Sequence, residues 1–167
     1  MTILRSTVPA DRPAVLDVIR LAFGRGGEEV GIVEAVWRSP RHMPALDLVA
    51  ERDGAVVGHI LHSHGDLADT PIPGLAPLAV HPDAQGQGVG SALVRETLRI
   101  ADMAGEPAVI VLGHPDYYAR FGFEPASAFG ISYAALDRQP DKRPFMVRRL
   151  HAFDPALRGV YRYAWEL

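Results

Sequence analysis

Three glycines in five positions, Gly86, Gly88 and Gly90, stand between the apolar run GLAPLAV (74–80) and a segment of helical character. Glycines let a backbone come close to a ligand, while the first N–H groups of a helix lack intrahelical partners and carry the positive end of its dipole. That combination suits a phosphate or pyrophosphate. Two familiar phosphate loops do not fit the spacing. A P-loop needs Gly-Lys-Ser/Thr after its glycines, and this chain has Gly90-Ser91-Ala92. The dinucleotide fingerprint needs a glycine at 91, where Ser91 stands, and here the strand arrives mid-chain after an antiparallel hairpin. On these residues alone, the alternative is a tight strand-to-helix turn that binds nothing.

Other side chains could do chemistry. His62 and His64 are two apart and share a face if they lie on a strand, and Asp66 could extend the set. Without a third well-placed ligand, a polar strand face or a lid over the site is the plainer reading, and no metal is expected. A neutral imidazole with a pKa of about 6.5, or a water it holds, could instead deprotonate an amine. The cluster PDYYARFGFEPA (115–126) carries Tyr117 and Tyr118, which taken alone read as core aromatics with hydroxyls at the surface. Arg120 suits either a phosphate or a neighbouring acid, and His81 suits a turn.

These residues need elements to hold them. Thr2 to Ser6 reads as a strand, followed by a helix with Val15, Val18, Ile19, Ala22 and Phe23 at helical spacing, stopped by Gly24. A second helix covers Glu28 to Trp37. Leu46 to Arg52 and Ala55 to Ser63 read as strands joined through Asp53-Gly54, a pair that tolerates positive φ and predicts a tight hairpin. Gly65 to Pro73 reads as a loop, residues 74 to 80 as a buried central strand, and Gln87 to Ala104 as an amphipathic helix. AVIVL (108–112) reads as a strand buried on both faces, with later strands at Phe145 to Leu150 and Val160 to Trp165. There is no internal repeat or linker, so residues 1–167 form one domain.

Composition narrows the field. The formal charge of −3 gives no reason to expect nucleic acid or an anionic membrane as partner. With no cysteine, the chain has no disulfide, thiolate metal site or cysteine nucleophile. No apolar run approaches a membrane span, and the first residues lack the stretch of a secretory signal, which predicts a cytoplasmic protein.

The run Gln85 to Gly90 resembles the Gln/Arg-x-x-Gly-x-Gly/Ala signature of the Gcn5-related N-acetyltransferase (GNAT) family. GHIL (58–61), PLAV (77–80), YYARFGFEPA (117–126) and FMVRRL (145–150) resemble the bacterial YhbS-type subgroup of predicted N-acetyltransferases over nearly the full length, departing at His62-Ser63-His64 and across 65–73. The resemblance implies an α/β fold with a mixed, mostly antiparallel sheet splayed between the fourth and fifth strands to admit acetyl-coenzyme A. It places the pyrophosphate on Gln85, Gly86, Gln87, Gly88, Val89, Gly90 and Ser91, and the pantetheine along Leu78, Ala79 and Val80. The Leu78 N–H would polarise the thioester carbonyl. The spacing Tyr-x-x-x-Gly-Phe assigns Tyr118 as the phenol that protonates the departing thiolate, a role suited to a group of pKa about 10. Tyr117 is left to packing. Glu28, Glu29 and Glu34 fall where the family's first helices border the acceptor cleft; they read as exposed helix carboxylates or as an attraction for a cationic amine. The expected reaction is direct transfer to a small-molecule or peptide amine, compatible with a homodimer. A non-catalytic acyl-coenzyme A sensor is the rival, separated from the enzyme by product formation.

Overall fold

The computed structural model describes residues 1–167. Its elements run β1 (Thr2–Ser6), α1 (Arg12–Phe23), α2 (Glu29–Trp37), β2 (Leu48–Arg52), β3 (Ala55–Leu67), β4 (Thr70–Val80), α3 (Val89–Met103), β5 (Ala108–Leu112), α4 (Pro115–Ala119), β6 (Glu124–Pro125), β7 (Ile131–Tyr133), β8 (Phe145–Arg149) and β9 (Gly159–Arg162). The sheet order is β1-β2-β3-β4-β5-β8-β6, with β9 pairing β7 and the far end of β3. Every pair is antiparallel except β4–β5 and β7–β9. The β4–β5 exception follows from connectivity, because α3 carries the chain back across the sheet before β5 begins. No helix is long and apolar enough to cross a membrane.

Neighbouring strand residues point to opposite faces, and both faces are covered. Val49, Leu61 and Ala79 pack under Val15, Ile19, Val33 and Val36 of α1 and α2, while Ala50, Ile60, Leu75 and Val109 pack under Leu93 and Val94 of α3. The Asp53-Gly54 turn forms as expected, with φ of 53° and 78°. Asp47, buried at the entry to β2, ties α2 to β3: it accepts from Trp37 Nε1 at 3.0 Å and bonds Nε2 of His42 and of His59 at 2.8 Å each. Burial alone would raise its carboxyl, but the hydrogen bond and charge of His59, aided by His42, prevail and hold it at about 2.

The segment from Gly65 to Pro73 is not a loop. β3 continues to Leu67 and β4 starts at Thr70, turning at Ala68-Asp69. Gly65 and Gly74 serve close packing there. A Cβ on Gly65 would lie 2.3 Å from both the Tyr161 hydroxyl and the Arg162 carbonyl oxygen, and one on Gly74 would lie 2.5 Å from the same hydroxyl. Tyr161 is fully buried and donates to the Ile72 carbonyl at 2.9 Å. Pro71 and Pro73 occupy a stretch of β4 before its ladder to β5 begins at Gly74, where a strand tolerates residues without an N–H. At the other end of the chain, the strand expected over Val160 to Trp165 stops at Arg162, and Tyr163 stacks on Trp165 beyond it.

Candidate functional site

The ladder between β4 and β5 holds only at Gly74–Ile110 and Leu75–Val111; beyond Leu75 the two strands part. On the other side β4 stays paired to β3 as far as Val80, opposite Gly58. Backbone groups alternate sides along a strand. The His81 N–H donates to Val57 O at 2.8 Å, on the β3 side. The backbone of Ala79 therefore faces β3 as well, and that of Leu78 and Val80 faces the opening. Of those groups, the Val80 carbonyl accepts from Gln85 Nε2 at 3.0 Å, which stitches the following turn to the strand.

That turn leads into α3. Gly86 and Gly88 have φ of 73° and 83°, a left-handed conformation that disfavours a side chain, and Gly88 is the residue that caps α3. No side chain caps the helix. The backbone N–H groups of Gly86, Gln87, Gly88, Val89, Gly90 and Ser91 donate to no carbonyl of the protein. Gly90 serves space instead of conformation, since a Cβ there would lie 2.8 Å from the Tyr117 hydroxyl. A cleft of about 490 Å³ lies over these amides, lined by Leu78, Val80, Gln85, Ser91, Tyr117 and Arg120 among others. Arg120 stacks its guanidinium 4.4 Å from the centre of the Tyr117 ring and makes no ion pair with an acid, leaving its charge to the cleft.

Two of the expected residues lie outside this cleft. The Ala79 side chain is buried under α1 and α2. Gln87 turns outward, where Arg52 Nη1 donates to its Oε1 at 2.6 Å and its own Nε2 donates to Asp83 O at 3.1 Å.

A second cleft of about 420 Å³ opens where β4 and β5 part, and shares Phe23, Leu78 and Tyr117 with the first. Its remaining walls include Leu75, Pro77, Val111, Leu112, Glu29, His114 and Tyr118. Tyr118 is almost wholly buried, its ring edge-on to Tyr117, Phe121 and Phe123 at centroid distances of 5.0, 6.5 and 5.5 Å. Gly113 makes room for it; a Cβ there would sit 2.4 Å from Tyr118 Cε2. The Tyr118 hydroxyl has no hydrogen-bond partner in the protein, and burial followed by the neighbouring Tyr117 pushes its pKa above the ordinary tyrosine range. It is a protonated donor facing a cleft.

The histidines fall elsewhere. His62 is fully buried, its Nδ1 bonded to Leu46 O at 2.9 Å, and burial drives its pKa down to about 4. His64 bonds Glu106 at 2.9 Å and Asp66 pairs with Arg41 at 2.8 Å, so the three do not converge. Neither histidine lines a cleft with Tyr118. The cause is the position of β3, central in the sheet and covered on both faces. His81 is a turn residue, as expected: its Nδ1 accepts from Asp83 N at 3.1 Å. Sequence reasoning did not single out His114, which lines the second cleft. Tyr117 packs against the core, as expected, and its side chain also joins the two clefts. The available signal for His114 was its place just past the end of a buried strand, where a helix begins.

The chain matches the family model described as acetyltransferase (GNAT) domain over residues 45–125. It is 38% identical over 164 residues to the uncharacterized N-acetyltransferase YjhQ of Escherichia coli (strain K12), a match spanning 95% of this chain and 90% of that protein. The crystal structure of the GNAT family N-acetyltransferase YhbS from Escherichia coli in complex with CoA aligns with a TM-score of 0.87 and 29% identity, covering 99% of this chain and 91% of that one. A GNAT family acetyltransferase from Brucella melitensis in complex with acetyl-CoA aligns at 0.77 and 29%, covering 98% and 96%. With the parted strands, the free amides and this kinship in agreement, the chain belongs to the GNAT family of acetyltransferases.

Proposed function

We propose that this acetyltransferase moves an acetyl group directly from acetyl-CoA to an amine, both held at once in the two joined clefts. The observation that carries the reading is the unbroken run of unpartnered N–H groups from Gly86 to Ser91 beside a strand whose Leu78 and Val80 backbone faces the opening. The amides and Arg120 would hold the pyrophosphate. Leu78 and Val80 would pair with the pantetheine amides, as an extra strand pairs with a sheet edge. Acetyl-CoA supplies an acyl group already activated as a thioester. The chain supplies alignment, a Leu78 N–H for the developing oxyanion, and the Tyr118 proton for sulfur. The N–C bond forms and the C–S bond breaks; the neutral amine nitrogen sheds one proton and sulfur gains one. Acetyl-CoA is a cytoplasmic metabolite, so the cytoplasm is the proposed site of action.

Calorimetric titration with acetyl-CoA, ATP and NAD tests the donor site. Acetyl-CoA should bind best, and Gly88→Ala should weaken it, because a left-handed alanine costs about 1–2 kcal/mol and tilts the first amides of α3. ATP binding as tight as acetyl-CoA, or a Gly88→Ala variant of unchanged affinity, would overturn the assignment.

A further inference from the structure

The acceptor cleft has a chemical bias of its own. Glu29 is the one carboxylate on its walls, and no lysine or arginine is among them. Leu75, Pro77, Val111, Leu112 and Phe23 make most of the remaining surface apolar, and His114, Tyr117 and Tyr118 are its other polar side chains. Glu29 makes no ion pair, and its Oε2 is buried without any hydrogen-bond partner. A buried carboxylate oxygen is costly unless a donor meets it, and nothing in the protein does. The neighbouring backbone leaves space for it: a Cβ on Gly27 would lie 2.1 Å from that same oxygen. Tyr118, whose hydroxyl also lacks a partner, lines the same cleft from α4.

We infer, resting on the donor reading above, that the acceptor is a cationic primary amine with an apolar body and no carboxylate beside its nitrogen, and that Glu29 binds its ammonium group. The ammonium donates to the carboxylate, an ionic hydrogen bond stronger than a neutral one. The apolar walls take the body of the molecule. An α-amino acid would bring a second carboxylate into a cleft that already holds the Glu29 carboxylate, with no lysine or arginine to offset it and the His114 imidazole as the one basic group on the walls. The protons balance as follows. The ammonium passes one to the carboxylate and on to water, the freed lone pair makes the N–C bond as the C–S bond breaks, and the second N–H proton leaves by the same path. Tyr118 protonates the sulfur and is reprotonated, so one proton reaches water for each acetyl transferred.

Three matched pairs, each an amine and the amino acid that carries one further carboxylate, test this: phenethylamine and phenylalanine, tyramine and tyrosine, isoamylamine and leucine. Thiol release is followed with acetyl-CoA at saturation, and acetyl-CoA affinity is measured separately by calorimetry. Wild type should favour the amine of each pair by about tenfold or more in kcat/KM. Glu29→Gln, nearly isosteric, should raise the amine KM about tenfold and narrow that preference, with acetyl-CoA affinity unchanged. Amino acids used as well as amines, or an amine KM untouched by Glu29→Gln, would overturn the inference. So would a set in which no amine is acetylated or bound although acetyl-CoA binds, and that outcome leaves the donor reading standing. Failure to bind acetyl-CoA at all would strike the donor reading instead.

Discussion

Tyr118→Phe removes one oxygen and leaves the ring where it was. The phenylalanine ring would keep its edge contacts to Tyr117, Phe121 and Phe123 and its place against Gly113. The lost hydroxyl has no partner in the protein, so no buried group is orphaned and stability should change by less than about 0.5 kcal/mol. The catalytic cost is of another size. A positioned proton donor contributes typically about 10²–10⁴-fold. Two features set this case at the low end: a thiol of ordinary pKa about 8.5 leaves tolerably as the thiolate, and the cleft is open to water that can protonate it later. A fall in kcat of about 10²-fold, roughly 2.7 kcal/mol of barrier, is expected. Trapping the released thiol with a chromogenic disulfide measures it cleanly, because the chain has no cysteine to react. Since burial raises the Tyr118 pKa, wild-type kcat should show no falling limb up to about pH 10. A kcat within about threefold of wild type, at equal acetyl-CoA affinity, would refute Tyr118 as the donor.

Two further predictions concern the frame that holds the site. His62 drops from its ordinary 6.5 to about 4 because it is buried, so the folded protein takes up its proton less readily than the unfolded chain. The stability associated with neutral His62 is therefore full above about pH 6.5 and drains as pH falls toward 4, by up to about 3 kcal/mol. His62→Gln, which can still donate to Leu46 O, should flatten denaturant-derived stability across that window; an unchanged slope would show that other groups set it. Gly65→Ala drives a methyl group into the Tyr161 hydroxyl and the Arg162 carbonyl, so a loss of about 3 kcal/mol and a fall in Tm of roughly 6–12 °C are expected by calorimetry. A Tm within 2 °C of wild type, by that scale under about 1 kcal/mol, would mean that the β3–β4 hairpin has more slack than its packing indicates.

The parts of the site that were legible in the sequence are those in which a residue type determines local backbone geometry. Gly86 and Gly88 adopt the left-handed conformation that glycine permits, and the helix they precede starts at Val89. Asp53-Gly54 behaves the same way. What could not be read depends on distant partners. Gly65, Pro71 and Pro73 look like loop residues until Tyr161 arrives from the far end of the chain, 89 positions beyond the Ile72 carbonyl it bonds. His62 alternates as a half-exposed strand residue would, yet the helices on both sides of the sheet leave it no solvent. Tyr117 and Tyr118 are adjacent in sequence and equivalent by residue type. Only the turn of α4 against Gly90 and Gly113 gives one the junction of the clefts and the other the second cleft alone.

The two halves of the site are therefore encoded in different ways. On the proposed reading, donor binding rests mainly on main-chain groups at Leu78, Val80 and Gly86 to Ser91, which every residue except proline supplies in full, provided the glycines let the turn form. The Gln87 side chain takes no part, since it points away. The cleft proposed for the acceptor, in contrast, is made of side chains from three separate regions: Phe23 and Glu29 near the start of the chain, Leu75 and Pro77 on β4, and His114 and Tyr118 after β5. One substitution in any of these changes its charge or shape without touching the fold of the turn. A family built this way can keep one donor and vary its acceptor. A glycine signature can therefore reveal the first chemistry in a single sequence, whereas the second becomes visible only when the parted strands bring those regions together.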